Sequence, residues 1–477
     1  MRDATSGFVS RTRGTPSGHV QFWRTVVRVA TALSVTAAAA ANAQQPWTRT
    51  PRDSAARDTN RVNIDSLAAR LERTEQALEL LRQEMATEAS SNVRTRSRLQ
   101  TDLWARVLMN GFMSRGQLNN TDVPTYATNT PVPNANLARR AVGLSLRQTR
   151  IGFSLFVDSV AGGAFEGDFD ADFFGGGEAG PTNEYKFPEP RLRMAKFIMH
   201  WPRTELLVGG ETPLISDMTP VTVASVGVPG FSEAGNLWNW LPQVRLTREL
   251  TTTRLGKASL HWALQGAVLH PFSGFNLGGE EEGVDAGVRS GRPYLESRLR
   301  ARWGADASPA GAGVGDIGGE VGVGVHRGWI RNVDSQLANS DAVSVDARLG
   351  LPLSLELRGE AYRGQALAGL GGGGIDQNFG VATTTAPLGA PLHDVGGWTQ
   401  LNWKAHPAVI TGIGCGLDVP RASDLPERRR NLACAEHVMW RPAQPLVFGV
   451  ELRQLRTTYE TQVLRGTHLN FSFGFEL

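Results

Sequence analysis

Thr467-His468-Leu469-Asn470-Phe471-Ser472-Phe473-Gly474-Phe475-Glu476-Leu477 closes the chain, and its reading decides the fold. Odd positions are apolar or Thr and even positions are polar or Gly. That is the period of two of an extended strand, with Leu469, Phe471, Phe473, Phe475 and Leu477 on one face. Such a strand separates two media.

The pattern recurs upstream. Thr149, Ile151, Phe153, Leu155 and Val157 alternate with Arg150, Gly152 and Ser154; Leu260, Trp262, Leu264, Gly266 and Val268 form another such face. Val321-Val323-Val325, Val343-Val345-Ala347-Leu349 and Leu353-Leu355-Leu357 repeat it. Even a charged stretch obeys: Leu295, Ser297, Leu299, Ala301 and Trp303 oppose Glu296, Arg298, Arg300 and Arg302. Strands of soluble sandwiches run about five or six residues. Most here run about ten to fourteen, the length that crosses a bilayer at a tilt.

About sixteen such segments fit between residues 103 and 477. Their connections alternate between short turns, such as Trp201-Thr204, Gly350-Pro352 and Arg441-Pro445, and long loops such as 115–144, 212–241 and 365–395. Outer-membrane barrels have short periplasmic turns and long outer loops. Two connections break the parity, the flexible 305–315 insertion and the brief 460–463 turn. The expectation is an all-β transmembrane antiparallel barrel of about sixteen strands. Trp201, Trp303, Trp403, Trp440 and Tyr294 lie near segment ends, where interfacial girdles form.

Composition excludes the rivals. The 477 residues include two cysteines, too few for a disulfide scaffold or a Cys-rich metal site. Past the first forty or so residues no long apolar run marks a membrane-spanning helix. The basic balance, 49 Lys and Arg against 46 Asp and Glu, comes from the leader. Arg2, Arg11, Arg13, Arg24 and Arg28 precede an apolar run, Val29 to Ala41, and Ala41-Asn42-Ala43 is a signal-peptidase site. Residues 1–43 therefore read as a cleaved signal peptide. Removing its five arginines and Asp3 leaves 44 basic and 45 acidic residues, so a nucleic-acid role has no charge to rest on. Export across the periplasm to the bacterial outer membrane follows, with the C-terminal strand ending in Leu477 as the segment offered to barrel-insertion machinery.

Residues 44–61 read as a disordered linker. In 62–90, Ile64, Leu67, Leu71, Thr74, Leu78, Leu81 and Met85 recur at spacings of three and four, a coiled-coil seam. It reads as an oligomerisation stem, or else as a surface helix packed on its own domain. A second linker covers 91–102, and the barrel 103–477.

Sixteen strands enclose more space than side chains fill, so the interior is expected to hold water. Inner-face candidates are Glu166, Asp168, Asp170, Arg191, Arg193, Arg245, Glu296, Arg298, Arg300, Arg302, Glu356, Arg358, Glu360, Glu451 and Arg453. Opposed rows of such residues orient dipolar solutes, and rings of arginine favour anions. Lysine is nearly absent (Lys186, Lys196, Lys257 and Lys404), so the positive lining is arginine, which grips carboxylate or phosphate bidentately. The plainer reading is a set of cross-strand salt bridges bracing a wet lumen. Arg298, Arg300 and Arg302 stand out because only Glu296 on their strand balances them. The segment Glu211 to Leu241 is apolar for an exposed loop and suits folding into the barrel, or a lid or subunit contact. Cys415 and Cys434, at the expected outer ends of adjacent strands, suit a disulfide closing the 416–431 loop. No catalytic constellation, cofactor motif or metal-ligand spacing is present.

Four motifs carry a family resemblance. Arg147-Gln148-Thr149-Arg150-Ile151-Gly152-Phe153 is similar to the early "RQSR-hydrophobic-G" strand of DcaP-like trimeric porins, and Phe165-Glu166-Gly167-Asp168-Phe169 to their "EGDF" strand. Arg191-Leu192-Arg193-Met194-Ala195 resembles "RLRHA", with Met194 in place of His. Leu206 to Thr212 resembles "LLVGQTWS", departing at Gly210 and Glu211. The match spans about residues 145 to 250. The resemblance implies sixteen strands, a homotrimer in outer-membrane lipid, and passive diffusion of small anionic or dicarboxylate-like solutes without a cofactor. Phosphate-selective porins have lysine-rich constrictions, which four lysines do not match. A trimeric adhesin, an outer-membrane barrel enzyme and a soluble secreted β-protein are the other classes; an adhesin anchor is short, and no Ser/His pair marks an enzyme.

Overall fold

The computed structural model describes residues 99–129, 140–175, 188–255, 258–274, 284–304, 313–331, 336–381 and 389–477. The expected signal peptide, first linker and coiled coil lie outside them.

Strands run in chain order. The first nine are β1 (Leu99–Arg115), β2 (Arg140–Ser145), β3 (Arg150–Val160), β4 (Gly163–Gly175), β5 (Glu189–Trp201), β6 (Thr204–Glu211), β7 (Leu241–Leu255), β8 (Ala258–Leu269) and β9 (Tyr294–Gly304). Then come β10 (Gly318–Arg331), β11 (Leu337–Leu351), β12 (Leu355–Gln365), β13 (His393–His406), β14 (Val409–Pro420), β15 (Arg428–Trp440), β16 (Leu446–Tyr459) and β17 (Val463–Glu476). From β3 to β17 each pairs antiparallel with the next in sequence, and β17 returns to β1 with Met109 opposite Phe473 and Met113 opposite Leu469. β2 and β3 share one edge of β1, Ser145 facing Asn110 and Arg150 facing Arg106, so they occupy one place in the wall. The result is a closed barrel of sixteen strands. Closure pairs every strand edge, which a lipid environment demands.

Alternation has the expected sense. Val323, Val343, Phe471 and Phe473 are exposed on the outer face, while Asn110, Asn470 and Ser472 are buried inside and linked by hydrogen bonds. β1 begins at Leu99, four residues before the expected barrel start, so the second linker gives way to strand there. Trp403 and Trp440 lie outside at the short-turn end, Trp440 against Phe448. Tyr294 corrects the girdle expectation. It points inward, is 1% exposed, and meets the His326 ring edge-on.

Cys415 and Cys434 are disulfide-bonded, but not at strand ends. They face each other in mid-strand with Cα atoms 4.0 Å apart. Gly414 and Gly416 beside Cys415 point at the lumen, so the disulfide lies on the outer wall, and the loop-closing expectation is corrected.

Candidate functional site

The lumen is shaped by the segment 212–240, between β6 and β7, which folds inside the barrel. Its backbone spends its hydrogen bonds on the inner wall, as buried peptide groups must. Leu214 and Ile215 donate N–H to Glu296 on β9 (2.6 and 3.3 Å), and Ser216 Oγ donates to both oxygens of Glu360 on β12 (2.9 and 2.8 Å). Val221 exchanges two hydrogen bonds with Gln400 on β13 (2.7 and 3.0 Å). Thr222 donates to Glu451 on β16, and Ser472 on β17 donates to the Val223 carbonyl (3.1 Å). Farther round, Gln148 accepts from Val226 and Gly227 (2.7 and 2.8 Å), and Arg191 on β5 reaches the Gly227 carbonyl (2.6 Å). The segment then returns, Leu237 donating to Glu360 (3.2 Å).

Apolar side chains reinforce the circuit. Leu214, Ile215 and Leu237 pack among Leu269, Tyr294, Ile330 and Leu367; Phe231 and Ala234 meet Trp398 and Leu455; Val223 and Val226 meet Leu108, Met439 and Val447. Each large residue buried this way contributes about 1.5–3 kcal/mol. Inner-wall glycines make room. A Cβ on Gly416 would sit 2.1 Å from the Ala234 carbonyl oxygen, and one on Gly449 2.1 Å from Val223.

Among the described residues, a cavity of about 360 Å³ lies between this segment and the wall of β3, β5 and β7. Arg150, Arg193 and Arg245 project from the wall, and Ser216, Asp217 and Trp240 come from the segment. Arg193 stacks on Trp240 at 4.3 Å, within cation–π range. Arg150 and Arg193 share Asp170, and Arg191 forks onto Asp172 (3.0 and 2.7 Å). Among the described residues no carboxylate lies within ion-pair distance of Arg245, though Glu211 and Asp217 act on it at longer range; it donates to the Gln243 side-chain oxygen (3.1 Å) and to the Thr212 carbonyl. Burial alone would raise the Asp217 carboxyl, but Arg298, Arg245, Arg300 and Arg302 hold it below the ordinary aspartate range, so it stays charged.

The other candidates divide. Glu166 pairs with His200 (3.1 Å), and Asp168 takes Ser154 (2.7 Å) and Lys196 (3.8 Å). Glu296, Glu356, Glu360, Glu451 and Arg453 face inward but are buried by the segment and by one another, while half-buried Arg358 pairs with Glu356 and donates to the exposed Thr219 carbonyl (2.8 Å). The arginine trio is a correction. Arg298 is 1% exposed and surrounded by Asp217, Glu320 and Asp346 (2.9, 2.8 and 2.5 Å); Arg302 also pairs with Glu320, and Arg300 with Glu249 (3.3 Å). Their counter-charges come from β7, β10, β11 and the inner segment, where strand-by-strand counting does not look. Arg150, Lys196, Glu211, Asp217 and Trp240 also shape the site, and of these Arg150 is the one that its alternation with Ile151 makes legible in the sequence.

No protein-family model matches the chain, and no curated protein matches it in sequence. The outer membrane channel DcaP of Acinetobacter baumannii matches in structure with a TM-score of 0.58, over 81% of this chain and 100% of that one, at 12% identity. The fold is that of DcaP. The likeness agrees with the motif resemblance at Arg147 to Phe153 and beyond. An anion-selective porin from Comamonas acidovorans (TM-score 0.47, 11% identity, 79% and 100% covered) and Salmonella typhi OmpF in complex with daunomycin (0.46, 8%, 81% and 100%) are more distant.

Proposed function

We propose that this chain is an outer-membrane porin, a passive channel for small hydrophilic solutes with a preference for anions, dicarboxylates among them, and that it works as a homotrimer in the outer membrane after export through the periplasm. The observation that carries the anion preference is Arg245, a guanidinium beside the cavity whose hydrogen bonds go to neutral acceptors and which no carboxylate among the described residues pairs directly, backed by Arg150 and Arg193. A guanidinium not locked in a direct ion pair can take a passing carboxylate in two-pronged fashion. Asp217 opposite sets the field direction across the gap.

Planar-bilayer recording tests this reading. Stepwise conductance in threes and an anion-selective reversal potential in a salt gradient support it. A folded, heat-modifiable barrel with no conductance would sink transport, and a cation-selective reversal potential would sink the anion preference alone.

A further inference from the structure

The segment 366–381 enters the barrel mouth and turns at Gly374-Ile375-Asp376, all three in the left-handed region (φ 63°, 57° and 58°). Ile375 is β-branched and fully buried there, a backbone cost of about 1–3 kcal/mol that surrounding contacts must offset. Those contacts are acidic. Gly374 donates its N–H to Asp394 at the start of β13 (2.6 Å), and Asp418 near the end of β14 lies beside the same turn. Tyr362 on β12 places its hydroxyl 2.7 Å from Asp418 Oδ2 and 3.3 Å from Asp394 Oδ2.

The hydrogens do not suffice if both acids are ionised. A phenol has one hydrogen and two carboxylates have none, yet the Tyr362 oxygen lies within hydrogen-bond distance of both acids. Asp394 and Asp418 are 3% and 0% exposed, and among the described residues no cation pairs with either. Two like charges so placed in a dry site do not both ionise. The surrounding charges do not supply the missing partner. Arg428 on β15 donates to the Ile375 and Asp376 carbonyls, pairs with Glu427 (3.3 Å) and lies over the Tyr126 ring. His393, beside Asp394 in sequence, is paired with Asp424 (2.9 Å). Glu233 of the inner segment and Asp376 of the turn are acids themselves.

We propose that Tyr362, Asp394 and Asp418 form a latch closed by one shared proton, which fixes the 366–381 segment against the inner wall and releases its turn when the proton leaves. In the closed form the protonated acid donates its O–H to the phenol oxygen and the phenol O–H donates to the other carboxylate, so two hydrogens fill the two contacts. Loss of that proton to water leaves two carboxylates around one phenol hydrogen; their repulsion parts them and draws Asp394 away from the Gly374 amide. Glu233 acts in the same direction: burial, then the Asp376 charge, push it up to about 8.

Hydrogen–deuterium exchange of the folded full-length protein in detergent tests this without needing conductance. After correction for intrinsic rates, peptides covering 366–381 should lose protection as pD rises between about 5 and 9, by at most about tenfold per unit for one proton. Peptides from β16 should not change. Asp418→Asn cannot ionise yet can donate N–H to the Tyr362 oxygen, and should keep its acid-pH protection throughout; Tyr362→Phe should release the turn at lower pD. Glu233→Gln separates the two contributions. Protection in the wild type that is flat with pD, or a pD dependence that vanishes entirely in Glu233→Gln, would overturn the latch even if the Asp418 variant fails to fold.

Discussion

Arg298 on β9 grips Asp217 of the inner segment at 2.9 Å, and Glu320 and Asp346 complete a ring of three carboxylates around that one guanidinium. The ring joins a lumen segment to two neighbouring strands through a single buried side chain.

Arg298→Met removes the cation and strands its partners in a dry site. The expected loss is about 3–5 kcal/mol, the cost of leaving buried charge unpaired. Arg298→Lys should recover only part, because an ammonium lacks the planar fork. Urea unfolding followed by heat-modifiable gel mobility measures both; a Met variant as stable as wild type refutes the structural role.

Arg245→Gln deletes the guanidinium that no carboxylate among the described residues pairs directly. The anion-to-cation permeability ratio should fall, roughly twofold or more at 0.1 M salt and much less at 1 M, where the screening length drops from about 10 Å to about 3 Å. Reversal potentials at the two salt concentrations read this out. An unchanged ratio at low salt would move selectivity elsewhere in the lumen.

Gly416→Val pushes a branched side chain into the Ala234 carbonyl, which lies 2.1 Å from the Cβ position. Overpacking of this kind costs about 1–3 kcal/mol, and the inner segment is the part able to yield. The expected result is a noisier, larger conductance with the barrel still heat-modifiable.

Glu233 gives stability a pH dependence with a defined sign. Its folded-state pKa is raised to about 8, so its contribution is complete below the ordinary glutamate range and disappears as pH rises through 8. Thermal midpoints should therefore fall between acid and mildly alkaline pH more steeply in wild type than in Glu233→Gln. Parallel curves would contradict the assignment.

The wall of this barrel was legible because alternation is a local signal. The expected Trp201-Thr204 turn joins β5 to β6, and the expected 212–241 loop begins where β6 ends at Glu211. Charge pairing was not legible. Glu320 and Asp346 lie far along the chain from Arg298 and meet it only when β9, β10 and β11 align in register. Tyr294 begins its strand on the inward parity, so its position at a segment end misled where its alternation with Leu295 did not. The cysteines read as strand-end residues because β14 was expected to stop at Cys415, whereas it continues to Pro420. The apolar content of 212–240 did signal a packed segment. Its path did not, since Gln148, Glu360, Gln400 and Ser472 become neighbours only after closure.

That path has a mechanical consequence. The inner segment is pinned at Gly227 to β5 and at Val221 to β13, on well-separated parts of the ring. A hoop of strands joined edge to edge resists stretching but flattens easily into an ellipse; a tie fixed at separated points of its rim opposes that flattening. The bore is therefore braced from within, and its cross-section should hold under lateral pressure from the surrounding lipid.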